Sequence, residues 1–133
     1  MVGGYLTFGG IHGRGRWHGT AVEDVLPVTI KDGDDRCERP DGVIPTPVSS
    51  PVLAEVPNAW PHVLGYNRLV ARPDASVIAT VDDDPFLALG AGLGKTVAYA
   101  SDCSPHWAPA EFTDWEGYPA LWNAIVTYAA DVG

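Results

Sequence analysis

The stretch T-V-A-Y-A-S-D-C-S-P-H-W, residues 96–107, sets the fold class of this chain. Thr96-Val97-Ala98-Tyr99-Ala100 is nearly all apolar, as expected of a strand covered on both faces. Asp102, Cys103, Ser104 and His106 then place an acid, a thiol, a hydroxyl and an imidazole in one polar loop. Open α/β sheets build their sites where strands end at the carboxyl side, so this loop is the first candidate for chemistry.

Working upstream, His62–Val70, Ser76–Val81 and Pro85–Leu89 read as strands. They are separated by Arg72-Pro73-Asp74, by Asp82-Asp83-Asp84 and by the glycine-rich run 90–94. Connections this short imply antiparallel neighbours. Downstream, Tyr118, Leu121, Trp122, Ile125, Val126 and Ala129 recur at spacings of three and four, one apolar stripe on a helix. Strands followed by a packing helix predict an α/β domain. Nearer the start, Thr20 caps a short helix through Leu26, with Glu23 closing a capping box, and Val28-Thr29-Ile30 is a short strand. Residues 31–62 contain Pro40, Pro45, Pro47, Pro51, Pro57 and Pro61 and read as loop, with one helical turn at Pro51–Val56. Met1–Gly19 holds seven glycines, which favours tight turns over regular structure.

At 133 residues the chain fits a single domain, 1–133, large enough to bury one core. With 46% hydrophobic and 19% charged residues it has a globular composition. Eight Lys and Arg stand against 17 Asp and Glu, a formal charge of −9. That balance argues against nucleic acid or an anionic membrane as partner. Apolar runs are short and interrupted, so no transmembrane helix is expected, and no basic segment followed by an apolar run marks a signal peptide. Cys37 and Cys103 lie far apart and form no disulfide framework. A cytoplasmic domain with free thiols is the expectation.

Each candidate residue has a structural reading beside the chemical one. His106 can act as a general base oriented by Asp102, whereas Asp102 and Ser104 equally suit turn capping. Cys103 is a possible nucleophile or ligand contact by type, yet directly after an apolar strand a buried, inert thiol is expected. His12, Arg14, Arg16 and His18 alternate through the glycine-rich stretch, a cationic spot suited to phosphate or carboxylate, with solvated loop charges as the plain alternative. No phosphate-loop pattern is present. Asp32-Gly33-Asp34-Asp35 does not begin an EF-hand, because its twelfth position is Val43 and Pro40 interrupts it. No metal-ligand spacing occurs, and neither a metal nor another cofactor is expected.

Six segments in order, V-G-G-Y-L-T-F at 2–8, H-G-T-A-V-E-D-V-L-P-V at 18–28, D-D-R-C-E-R-P-D-G at 34–42, L-G-Y-N-R at 64–68, D-D-P-F-L-A-L-G at 83–90 and S-D-C-S-P-H-W at 101–107, resemble the glutamine amidotransferase-like family of bacterial cytoplasmic proteins. The resemblance implies a class I glutamine amidotransferase-like fold, flavodoxin-like and three-layered. It also implies that this chain corresponds to the carboxy-terminal half, lacking the first strands and helices, so that self-association into a homo-oligomer would cover exposed edges. In class I amidotransferases a Cys stands on a sharp strand-to-helix turn, and a His followed two residues later by Glu completes the triad. The matching turn, Gly3-Gly4-Tyr5-Leu6, offers neither Cys nor Ser, and the residue two beyond His106 is Ala108. The resemblance therefore implies a domain without glutaminase activity that binds a small ligand or partner at the strand ends. Gly3, Gly4, Tyr5, Asn67 and Cys103 would line that site with Asp102 and His106. The alternatives are a hydrolase using His106 as base with Asp102 orienting it, and a nonfunctional remnant.

Overall fold

The computed structural model describes residues 1–131. Its strands are β1 (Val28–Thr29), β2 (Arg36–Val43), β3 (Thr46–Pro47), β4 (Val63–Asn67), β5 (Val70–Ala71), β6 (Ser76–Val81), β7 (Asp84–Ala91) and β8 (Lys95–Tyr99). The helices are α1 (Ala21–Val25), α2 (Ala110–Thr113) and α3 (Tyr118–Ala130), with single 3₁₀ turns at Ile11–Gly13 and Pro51–Leu53. The main sheet runs β3-β6-β7-β8, and two short ladders, β1-β5 and β2-β4, flank it. All these strand pairs are antiparallel, as the short turns predict. The β6–β7 turn consists of Asp82 and Asp83, both at positive φ (47° and 67°). That conformation matches the twist of a tight hairpin, and Asp tolerates it better than most residues. The far edge of β8 is met by the start of the chain: Val2 pairs in parallel with Tyr99, and Gly3 N–H donates to the Tyr99 carbonyl at 2.8 Å.

The core sits between the main sheet and α3. Phe86, Leu87, Tyr99 and Leu121 are fully buried, and Trp60 packs edge-on against Phe86 at 6.2 Å. Each such side chain contributes about 1.5–3 kcal/mol through removal from water. The α3 stripe is narrower than the sequence spacing predicts. Leu121 and Ile125 are buried, Tyr118 and Trp122 are half-buried, and Val126 is 62% exposed.

Two sequence expectations are corrected. The segment read as loop from 31 to 62 contains the eight-residue strand β2. It survives Pro40 because its register breaks between Glu38 and Val43, with Gly42 at φ 82°. Proline is tolerated on a flanking strand at such a bulge, where no ladder bond is demanded of it. The capping box is also only half formed. Thr20 Oγ1 accepts from the Glu23 N–H, but the Glu23 carboxylate reaches Gly19 and Ile30 instead of Thr20. Burial pushes this carboxyl up, yet the N–H groups of Ile30 and Gly19 and the nearby His18 outweigh that and hold it below its ordinary value.

Candidate functional site

The glycine-rich start of the chain is held in place by a carboxylate. Asp35, 2% exposed, accepts from the N–H groups of Gly9 and Gly10 and from the Asn67 amide, each at 2.8 Å. Asn67, itself fully buried on β4, accepts from Gly4 N–H at 2.8 Å and returns a hydrogen bond to the Gly4 carbonyl at 3.1 Å. Every donor in this cluster finds an acceptor, which is what burial of a charge requires. Glycine is required twice here. A Cβ on Gly3 would stand 2.5 Å from the Ala100 carbonyl, and one on Gly4 (φ 146°) would stand 2.8 Å from Asp102 Oδ1.

Above this clamp an open rim forms. Tyr5 presents its ring edge-on to His106, centroids 4.3 Å apart, while the Arg36 guanidinium lies 4.8 Å from its centroid. The Tyr5 hydroxyl donates to Glu38 Oε1, and the buried Trp107 indole donates to Glu38 Oε2 at 3.1 Å. The hydrogen bond to Glu38, reinforced by burial and by its charge, raises the Tyr5 phenol above its ordinary value. Arg36 in turn forks onto Asp34, and these hydrogen bonds hold that carboxyl well below the usual carboxylate range. His106 Nδ1 lies 3.2 Å from Asp102 Oδ2, which also accepts weakly from Trp107 N–H at 3.4 Å. Asp102 therefore serves both readings at once, as turn cap and as partner to the imidazole. The imidazole is 47% exposed and its backbone φ is 154°, an uncommon value for a residue with a side chain.

Residues 1–130 match the family described as "Putative glutamine amidotransferase". The chain belongs to that family. Two solved structures from Salmonella typhimurium are similar to this glutamine amidotransferase-like chain. Cytoplasmic protein STM3548 shares 42% identity with a TM-score of 0.91, covering 97% of this chain and 53% of that one. Cytoplasmic protein STM1381, from strain LT2, shares 39% identity with a TM-score of 0.90, covering 97% of this chain and 54% of that one. The chain thus spans about half the length of the structures it matches. A comparison with the curated proteins found no match.

Within this amidotransferase-like domain the sequence-named residues fall into two layers. Tyr5, Asp102, Cys103 and His106 reach the surface, whereas Gly3, Gly4 and Asn67 lie beneath it and act on the rim through the backbone. Cys103 is exposed, against the expectation of a buried thiol, because the loop turns outward immediately after Ser101, whose hydroxyl is tied to the Gly65 carbonyl at 2.7 Å. The turn at Gly3–Leu6 is followed by further turns and not directly by a helix. Sequence reading missed Asp35, Arg36 and Glu38, although they stand in the quoted segment 34–42. Pairing of β2 with β4 brings Arg36 and Glu38 to the rim, while Asp35 stays buried in the clamp beneath it. Among the described residues no three His, Cys, Asp or Glu side chains converge as a metal site requires.

Proposed function

We propose that this amidotransferase-like domain binds a small polar ligand at the rim formed by Tyr5, Glu38, Asp102 and His106, and that it does not hydrolyse glutamine. One observation carries the reading: an exposed His–Asp pair stands beside a turn, Gly3-Gly4-Tyr5, that has no thiol or aliphatic hydroxyl to attack an amide. The Tyr5 phenol is no substitute, since its proton is engaged by Glu38 and its ionisation is pushed upward. Covalent glutaminase chemistry needs an activated nucleophile within reach of its base. The rim supplies instead the remaining lone pairs of the Glu38 carboxylate and a half-exposed imidazole, suited to a ligand with hydrogen-bond donors.

The test is a thermal-shift screen of small amides, amino acids and sugars on wild type and His106→Ala, with ammonia release from glutamine measured in parallel. A ligand that raises Tm in wild type and not in the variant supports the reading, and ammonia release abolished by His106→Ala overturns it. A second reading is favoured by the 3.2 Å contact of Nδ1 with Asp102. With Nδ1–H donating to the carboxylate, the Nε2 lone pair faces outward and can deprotonate a water, making the domain a hydrolase. Ester or amide turnover lost in both Asp102→Asn and His106→Ala, with the fold intact, would select it.

The finer architecture belongs to the same proposal: a flavodoxin-like three-layer domain of which these residues form the carboxy-terminal half, a reading supported by the half-length coverage of both Salmonella structures. A cytoplasmic location is supported by the naming of those two proteins. No helix among the described residues is long and apolar enough to cross a membrane. The acid excess disfavours nucleic acid as partner. Self-association is supported by exposed Leu6, Val25, Val70 and Val126, and light scattering after size exclusion reads it directly.

A further inference from the structure

Cations in this acidic chain are mostly neutralised. Of the eight Lys and Arg side chains, Arg36, Arg39, Arg68 and Lys95 each pair with a carboxylate, and Arg72 donates to the Leu26 and Glu23 carbonyls. Arg14, Arg16 and Lys31 have no such partner among the described residues. Two of those three, Arg16 and Lys31, line one cavity of 160 Å³, together with His18, Asp32 and the backbones of Gly13 and Gly33. The cavity lies where two loops meet backbone to backbone: a Cβ on Gly13 would stand 3.0 Å from the Gly33 Cα. Arg16 holds a left-handed conformation (φ 58°) usually left to glycine. His18, also in the lining, has its Nδ1 3.4 Å from Glu23 Oε2.

We infer that this cavity, separate from the His106 rim, is a binding site for a small oxyanion of the phosphate class. Its volume is several times the share of one water, about 30 Å³. It is below the range of about 300–1,000 Å³ typical of drug-sized ligands, so it fits inorganic phosphate or a phosphomonoester head and not a nucleotide. Arg16 supplies a planar fork and Lys31 a point charge, the two ways proteins hold phosphoryl oxygens. Asp32 sets the selectivity. Its carboxylate repels a fully ionised oxyanion but accepts the P–O–H of hydrogen phosphate, a donor that sulfate lacks.

The experiment titrates the full chain with inorganic phosphate and, separately, with sulfate at constant ionic strength, by calorimetry and by ³¹P line broadening. Phosphate is expected to bind more tightly than sulfate. Arg16→Gln and Lys31→Gln, both at exposed side chains, are expected to weaken it at least tenfold each. Asp32→Asn is expected to narrow the gap between the two anions. His106→Ala is expected to leave binding unchanged. Phosphate binding that persists in the Arg16→Gln, Lys31→Gln double variant overturns the inference, as does absence of binding to a wild-type chain that melts cooperatively. Sulfate binding equal to that of phosphate, unaltered by Asp32→Asn, overturns the assigned selectivity.

Discussion

Two polar clusters meet the same glycine-rich segment, one through hydrogen bonds to its backbone and one through the Tyr5 ring, and they differ in what they leave free. Beneath it, Asp35 and Asn67 are sealed from water and bonded to Gly4, Gly9, Gly10 and one another. Above it, Asp102 and His106 share one contact of 3.2 Å, and the imidazole remains half in solvent. The lower cluster has no free capacity for a ligand, while the upper one retains donors and acceptors. The difference separates scaffold from site more sharply than residue type does, since each cluster is built on an aspartate.

Substitutions that break the lower cluster should have the largest effect. Asp35→Ala leaves the buried Gly9 and Gly10 N–H groups without an acceptor and takes one of two acceptors from the Asn67 amide, and at about 1–3 kcal/mol for each orphaned donor this amounts to about 2 kcal/mol or more. Chemical denaturation should register that loss, and an unchanged midpoint would show that water reaches the cluster. Next is the wall between the two regions. A Cβ on Gly65 would stand 2.3 Å from the Trp107 indole nitrogen, which holds Glu38. Gly65→Ala should destabilise by about 2 kcal/mol through overpacking and should also displace Glu38 from the rim. Any rim ligand would then bind more weakly, an effect that Asp35→Ala confounds with unfolding and Gly65→Ala does not.

A smaller effect concerns acid. Arg36 holds Asp34 below its ordinary value of 3.8, so the folded state keeps this carboxylate ionised where the unfolded chain would protonate it. The contribution is therefore fully present above that ordinary value and is lost as pH falls through the lower, folded one. Stability should decline on acidification from about pH 5 downward. The Asp34→Asn variant, less stable at neutral pH, should converge on wild type at the acid end. Parallel curves across the range would show that the Arg36 fork makes no net contribution.

How much of this was legible in the sequence depends on how local the cause is. The alternating and apolar runs of β6, β7 and β8 and the stripe of α3 follow from side-chain period alone, and each lies within a few residues of its expected bounds. β2 was not legible, because Pro40 and Gly42 carry a loop signature and only the bulge opposite β4 makes them compatible with a strand. The site divides in the same way. Asp102 and His106 meet within one loop and could be paired by inspection. Glu38 and Trp107 are far apart in the chain, and their 3.1 Å contact depends on the β2–β4 ladder. Exposure of Cys103 is a matter of loop direction, which no neighbouring residue type dictates.

The smallest expected effect is also the one that discriminates best. His106→Ala removes a half-exposed ring whose polar contact among the described residues is Asp102, so global stability should change by less than about 0.5 kcal/mol. His106→Gly should be no less stable than the alanine variant, because glycine adopts φ 154° without a side-chain penalty. The glycine–alanine difference reads the backbone cost at φ 154°, which histidine and alanine share, and the alanine–wild-type difference reads what the ring contributes. An alanine variant as stable as wild type would show that the imidazole, despite its edge contact with Tyr5 and its 3.2 Å contact with Asp102, adds little to the fold and is free to serve a ligand.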